Sequence, residues 1–331
     1  MNTFGKIFKV TLLGASHEPF VGVKVEGVPQ GIVIAPEDFA EDIARRRAGA
    51  AGTTARRETD VPEITRDGSA IIIKFRNADT RNEDYARFAD VPRPGHADRC
   101  CTVKYGHNFP GGGIFSGRMT LPIVAAGVIA KKVCAKAAVK AGADSAFTLS
   151  ARIESIGGSE DPAAWDNLIA AAAEAGDTLG GIVRCTATPP AGLGEPFWDG
   201  VEQMLAHAIF AIPGVRGIEF GDGFKAAAMR GSEHNDPWGP DGKPAKNGAG
   251  GINGGITSGA PLDFRVAFKP ASSIAAPQTT FDFREGRMTE LAVAGRHDTC
   301  FALRTPPVVE AATAIVLADL MLTYNEKQTE E

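Results

Sequence analysis

Three of the six histidines stand in short segments bounded by glycine, proline or arginine: His17 in GASHE, His96 in RPGHAD and His297 in GRHD. An unperturbed imidazole titrates at about 6.5, so such positions suit proton transfer at neutral pH. Arginines recur beside the same segments at Arg46, Arg93, Arg118, Arg296 and Arg304, next to Gly- or Pro-rich turns. A guanidinium grips phosphate or carboxylate through two parallel N–H groups, so converging arginines imply a multiply anionic ligand. Solvent-facing ion pairs are the ordinary alternative.

Two further segments fit such a ligand. NGAGGINGGITSG (247–259) has too many glycines for a packed element, and its exposed amides suit close backbone approach to an anion. It is neither a dinucleotide fingerprint after a strand nor a Walker loop, and a loop without a ligand would look the same. Lys269-Pro270-Ala271-Ser272-Ser273 offers an ammonium and two hydroxyls to a phosphate or a flavin edge, or simply ends a strand. Together these features point to acid–base chemistry on a phosphorylated or carboxylated small molecule, without naming the reaction.

The bulk properties narrow the class. The 331 residues carry a formal net charge of −5, with 44% hydrophobic and 23% charged residues. That balance lacks the basic bias of a nucleic-acid binder. The five cysteines show no CxxC spacing, so reduced thiols are expected and a metal site is not. The N-terminus lacks the pattern of a signal peptide, and apolar runs such as LPIVAAGVIA fall short of a membrane span. A cytoplasmic protein without nucleic-acid or membrane partners is the expectation.

The elements that must position these residues are readable in part. IFKVTLLGA and VGVKVEGV read as strands, followed by a turn at residues 28–31. Pro36-Glu37-Asp38 starts a helix that runs into Arg45-Arg46-Arg47. Residues 62–76 form a hairpin about Asp67-Gly68. Helices are expected from about 120 to 140, 161 to 175, over VEQMLAHAIFAI, and from about 307 to 324, before a solvated charged tail. GGIVRCTAT and LDFRVAF read as strands, and 231–260 as loop. No repeat or linker is visible, and one α+β or layered α/β domain over 1–331 follows.

In order along the chain, FGKIFKVTLLGASH, RRRAG, RNADTRNEDYA, VPRPGHAD with KYG, VAAGVIAKK, PPAGLGEP, GIEFGDGF, GGINGGITSG, KPASS and GRHDTC resemble the chorismate synthase family along nearly the whole length. The resemblance implies a layered β-α-β sandwich of antiparallel sheets packed with helices, assembled as a homotetramer. It also implies conversion of 5-enolpyruvylshikimate 3-phosphate to chorismate by 1,4-anti elimination with reduced FMN. By the same resemblance His17 meets the leaving phosphate, His96 sets the protonation state of the flavin, and Asp298 assists proton traffic at flavin N5. Ser116, Gly254, Lys269, Ser272, Ser273 and Arg296 match flavin-binding positions, and Arg46, Arg93, Arg118 and Arg304 match substrate-binding arginines.

The chain also departs from the family pattern. GESHG reads GASHE, which puts Glu18 beside His17, and GRSSARET reads GIFSGRMT, which puts Ile114, Phe115 and Met119 where charge and hydroxyls are usual. His107, Arg56 and Arg57 are the candidates to compensate. The chain is short for the family and lacks the segments linked with intrinsic flavin reductase activity. Reduced FMN from an external flavin reductase is therefore implied, rather than NADPH-driven turnover by the chain alone. A flavin- or phosphometabolite-binding protein without elimination chemistry is the competing reading.

Overall fold

The computed structural model describes residues 2–330 other than 48, 50, 55, 81–82, 141–145, 241, 294 and 296. The chain opens with strands β1 (Thr3–Phe4), β2 (Lys9–Gly14) and β3 (Phe20–Glu26). Helix α1 (Ala40–Arg46) follows a single 3-10 turn at Pro36, and the hairpin β4 (Glu63–Asp67) and β5 (Ala70–Arg76) closes about the Asp67–Ala70 pair. These strands form one antiparallel sheet in the order β1-β2-β3-β5-β4. Its inner face is built by alternation: Val21, Val23 and Val25 on β3 and Ile71, Ile73 and Phe75 on β5 are almost fully buried. Period-two burial of β-branched and aromatic side chains specifies this register.

Helix α2 (Asp98–Tyr105) and the long α3 (Thr120–Lys140) come next, then β6 (Leu149–Ile156), α4 (Pro162–Glu174), β7 (Gly181–Ala187), α5 (Val201–Phe210) and β8 (Val215–Phe220). Asp161 caps α4 by accepting from the Ala163 N–H at 3.0 Å. The segment expected to be loop holds the single-turn α6 (Gly231–His234) and a tiny hairpin, β9 (Ile252–Asn253) with β10 (Ile256–Thr257). β11 (Leu262–Phe268) completes a second antiparallel sheet, ordered β6-β7-β11-β8. A further hairpin, β12 (Gln278–Asp282) and β13 (Arg287–Leu291), precedes α7 (Pro306–Glu330).

Helices α3 and α7 lie together between the sheets, α3 against β2, β3 and β5, and α7 against β6 and β7. The helices come so close at Gly127 that a Cβ there would fall 2.3 Å from the Cβ of Ala311. A single buried cluster therefore runs from the first sheet through both helices to the second. Helix α7 is long and apolar enough to cross a membrane, contrary to the expectation from shorter apolar runs, but 83% of its most apolar window is buried inside the molecule. It also continues through the charged residues read as a tail.

Two buried acids on α7 tie distant parts of the chain to this helical layer. Glu310 accepts from Arg45 on α1, from Lys131 on α3 and from the Ala151 N–H on β6. Asp319 accepts from the consecutive backbone N–H groups of Lys6, Ile7 and Phe8 at 2.7–3.0 Å.

Candidate active site

His17 lies on the turn that joins β2 to β3. Gly14 leaves β2 with a φ of +72°, where glycine carries no steric penalty. The hydroxyl of Ser16 donates to the Gly111 carbonyl at 3.1 Å and lies 3.0 Å from His17 Nδ1. With its hydrogen committed to Gly111, that hydroxyl accepts from Nδ1–H, which leaves Nε2 as the reactive nitrogen of His17. Burial lowers the pKa of His17 and the nearby Arg56 lowers it further, while Glu58 partly offsets them. Glu18 has no part in this: its side chain is exposed.

His96 sits on the RPG turn that leads into α2. Its Nδ1 lies 2.6 Å from Oδ1 of the buried Asp98. Arg93 donates to the same carboxylate through Nε at 2.7 Å and Nη2 at 2.8 Å. Burial alone would push the Asp98 carboxyl up, but the hydrogen bonds from Arg93 and His96 outweigh it and hold the group well below the usual carboxylate range. From the other side, Lys269 and Ser272 both donate to the Gly95 carbonyl, and Arg93 Nη1 donates to Ser273 Oγ at 3.1 Å. Burial, aided by Arg216, depresses the pKa of Lys269.

The segment Pro110–Phe115 runs between the histidines, with left-handed φ of +60°, +80° and +50° at Gly111, Gly112 and Gly113. Gly111 abuts the ring of His17, and Gly112 abuts the ring of His96. Ser116 then accepts from the Arg118 N–H at 3.2 Å and starts the turn into α3.

These elements enclose a cleft of about 650 Å³, a size ordinary for a small-molecule or cofactor site. Its walls include His17, His96, Asp298, Ser116, Lys269, Ser272 and Ser273 together with Arg46, Arg93, Arg118 and Arg304. His297 lines it as well. Of the remaining expected residues, Gly254 is not part of this wall; it belongs to the turn between β9 and β10, with φ +61° and open space about it. The glycine-rich segment expected as the ligand loop, 247–259, thus does not line the cleft, whereas Gly111, which the sequence reading did not single out, does. Arg296 lies outside the described residues.

The arginines differ in what they have left to offer. Arg118 donates to Asp60, to Asn77 Oδ1 at 3.0 Å and to the Arg76 carbonyl at 3.2 Å, so its guanidinium braces the wall. Arg93 is similarly engaged with Asp98 and Ser273. Arg46 is almost wholly buried, donates to Thr120 Oγ1 at 2.8 Å and stands 3.8 Å from Asp60. Burial, Arg304 and Arg118 press its pKa down to about 9, against the pull of Asp60 and Asp298. Arg46 Nη2 also donates to the Gly117 carbonyl at 3.2 Å, so the guanidinium is hydrogen-bonded but meets Asp60 only at 3.8 Å, an arrangement that favours an incoming anion. Arg304 donates to Asp298 Oδ2 at 2.6 Å, and the Thr54 N–H donates to Oδ1 at 3.0 Å, so Asp298 is held from both sides.

Of the three candidates to compensate for the altered loop, Arg56 reaches the cleft, where it bonds Glu58 at 2.7 Å and the Ser16 carbonyl at 3.2 Å. Arg57 and His107 are exposed and outside its lining. Ile114 and Phe115 do line it, and with Phe210, Ile212 and Phe301 they supply apolar wall. Sequence reading missed Arg216, Glu58, Asp60 and Asp98. Arg216 could have been found as a cation inside the strand-like GVRGIEF, which pairs with the end of β11 that leads into KPASS.

A family model described as chorismate synthase matches residues 8–322. A protein of Chitinophaga pinensis named chorismate synthase is 47% identical over 333 residues, covering 97% of each chain. One of Aeropyrum pernix with the same name is 42% identical, covering 97% of this chain and 93% of its own. A solved structure titled "Crystal Structure of Chorismate Synthase" superposes with a TM-score of 0.69 over 97% of this chain and 93% of that one, and at 23% identity this likeness concerns the fold. With a family model matched over residues 8–322 and relatives 42–47% identical across 97% of its length, the chain belongs to the chorismate synthase family.

Proposed function

We propose that the chain is a carbon–oxygen lyase that converts 5-enolpyruvylshikimate 3-phosphate to chorismate and phosphate by 1,4-anti elimination. The observation that carries this reading is the convergence of His17 and His96 on one cleft, each ring set against the same glycine loop, among cations that outnumber the carboxylates. A substrate with one phosphate and two carboxylates is the kind of ligand such a wall selects.

Reduced FMN fits the same cleft. Apolar side chains at Phe115, Phe210, Ile212 and Phe301 suit a flat ring system, while Lys269, Ser272, Ser273 and Ser116 stand where a polar edge or a phosphate would be held. Held by these residues, reduced flavin would supply electron density to the allylic system and a base for the departing proton.

The chain's own residues do the rest. Arg46, with Arg304 and Arg56, attracts the anionic substrate. Its phosphate brings negative charge to His17, which counteracts the lowered pKa and favours protonation at Nε2. That proton is then available to the oxygen of the breaking C–O bond, so that phosphate leaves with less charge. His96 holds or releases a proton at Nε2, and Asp298, fixed by Arg304 and the Thr54 N–H, accepts one nearby. We further propose a single-domain cytoplasmic homotetramer whose reduced flavin comes from an external flavin reductase.

An anaerobic assay with photoreduced FMN and 5-enolpyruvylshikimate 3-phosphate, following chorismate absorbance, tests the reading. Turnover that disappears in His17→Ala and His96→Ala is the expected result. Flavin binding without phosphate release would instead identify a binding protein, the alternative that Ile114 and Phe115 favour.

A further inference from the structure

We propose that Asp98 is a positioning residue for His96: its buried carboxylate decides which ring nitrogen carries hydrogen and turns the other toward the cleft. The proposal deepens, and rests on, the reading of His96 as a proton-handling group.

Asp98 is the first residue of α2 and is only 1% exposed. Its side chain folds back over the RPG turn, where Oδ2 accepts from the Arg93 backbone N–H at 3.1 Å and from Arg93 Nε at 2.7 Å. Oδ1 accepts from Arg93 Nη2 at 2.8 Å and lies 2.6 Å from His96 Nδ1. Arg93 Nη2 also approaches that ring nitrogen, at 3.1 Å. The two contacts require opposite tautomers, since Nδ1 can donate to Asp98 or accept from Arg93. The carboxylate contact is shorter, and a buried carboxylate facing an N–H is the stronger arrangement. Arg93 Nη2 already has Oδ1 as its acceptor. Nδ1 of neutral His96 therefore carries hydrogen, and Nε2 carries the lone pair.

The opposite edge of the ring faces the glycine loop. A Cβ on Gly112 would lie 3.3 Å from both Nε2 and Cε1, so the missing side chain leaves this edge uncovered. The turn that carries His96 is held independently by Lys269 and Ser272 on the Gly95 carbonyl. Ring position thus depends on several contacts, whereas ring tautomer depends on Asp98. That separation distinguishes a positioning role from a merely structural one.

Replacement by asparagine makes the distinction measurable. Asparagine has one oxygen and one NH2, and the guanidinium of Arg93 can only donate. The Arg93 backbone N–H and Nε claim the oxygen at the Oδ2 position, so the amide NH2 of Asp98→Asn takes the Oδ1 position, where it displaces Arg93 Nη2 and donates to His96 Nδ1. Hydrogen then moves to Nε2, and the edge facing the cleft loses its lone pair.

The experiment is long-range 1H–15N correlation on the full chain labelled at histidine nitrogen, with His96 assigned by its loss in His96→Gln. The wild-type protein should show neutral His96 with hydrogen on Nδ1, and Asp98→Asn should show it on Nε2. With photoreduced FMN, kcat of Asp98→Asn should fall on the order of 100-fold while the substrate KM stays within about threefold. Hydrogen on Nε2 in the wild-type protein overturns the proposal, and that measurement does not depend on the variant folding. A folded Asp98→Asn with lowered Tm and an unchanged tautomer overturns it too. If the tautomer switches as expected but His96→Gln turns over normally, the proton-handling reading of His96 fails, while control of the ring by Asp98 stands.

Discussion

Gly111 touches the His17 ring so closely that a Cβ built on it would fall 1.7 Å from Cε1 and 1.9 Å from Nδ1. Its φ of +60° also disfavours any other residue. Gly111→Ala is therefore expected to push the imidazole out of place. A displacement of about 1 Å at a reacting group costs on the order of 100-fold in rate. Steady-state kcat, with circular dichroism to confirm folding, checks this, and wild-type turnover in the variant would show that His17 has room to spare.

The proton chemistry of His17 should respond to Glu58 rather than to Glu18. Glu58 raises the pKa that burial and Arg56 lower. Glu58→Gln removes that support, so the pKa falls further. If protonated His17 is the required form, the limb of the kcat/KM profile that reports it moves to lower pH. Glu18→Gln should leave it where it is, because the Glu18 side chain faces solvent. A shift in Glu18→Gln alone would reverse this assignment.

Glu310 is 3% exposed and joins α1, α3 and β6 through Arg45, Lys131 and the Ala151 N–H. The Lys131 and Arg45 side chains retain partial solvent contact, which limits the penalty of leaving them unpaired. Glu310→Ala should lower stability by about 1.5–3 kcal/mol, the range for hydrogen bonds to charged groups, read from urea unfolding. A change below about 0.5 kcal/mol, typical of surface positions, would contradict it.

The helix crossing at Gly127 gives a packing test remote from the cleft. A Cβ there would fall 2.3 Å from Ala311 Cβ and 2.5 Å from its Cα, and backbone cannot yield as a side-chain tip can. Gly127→Val should destabilise the protein by about 1–3 kcal/mol through overpacking, visible as a lower Tm. Retention of the wild-type Tm would mean that the two helices separate freely.

Much of this architecture was legible because burial follows local periodicity. Helix α3 matched its expected limits, and the expected hairpin formed with its turn at Gly68-Ser69, one residue beyond Asp67-Gly68. Strand β6 escaped notice although Leu149, Ala151 and Ile153 alternate with Ser150, Arg152 and Glu154 in the period-two pattern of a half-buried strand, and pairing with β7 completes it. Helix α2 was missed for the opposite reason: DRCCTVKY has no apolar stripe, and it buries only Asp98 and Cys101.

The site was legible as residues but not as pairings. His17, His96 and most of the arginines meet at the cleft, yet which arginines are committed to the protein depends on acids far away in sequence. Asp60 takes Arg118 from 58 positions away. Asp98 stood in plain view in RPGHAD, but its bonds to Arg93 and His96 exist only because the turn folds the chain back on itself.

The carboxylate of Asp319 has a consequence for how the molecule is made. It gathers the N–H groups of Lys6, Ile7 and Phe8 from 311 to 313 residues away. A ribosome delivers residues 6–8 more than 300 residues before Asp319, and they must wait that long for their acceptor to emerge. Folding of the first sheet can begin during synthesis, but its leading edge is secured only after release of α7. Contacts of such separation slow folding and prolong the exposure of unpaired strand. Asp319→Asn should therefore lengthen the last refolding phase after dilution from urea, as followed by protection of the Phe8 amide against hydrogen exchange. Unchanged protection kinetics would place the closure of that edge elsewhere.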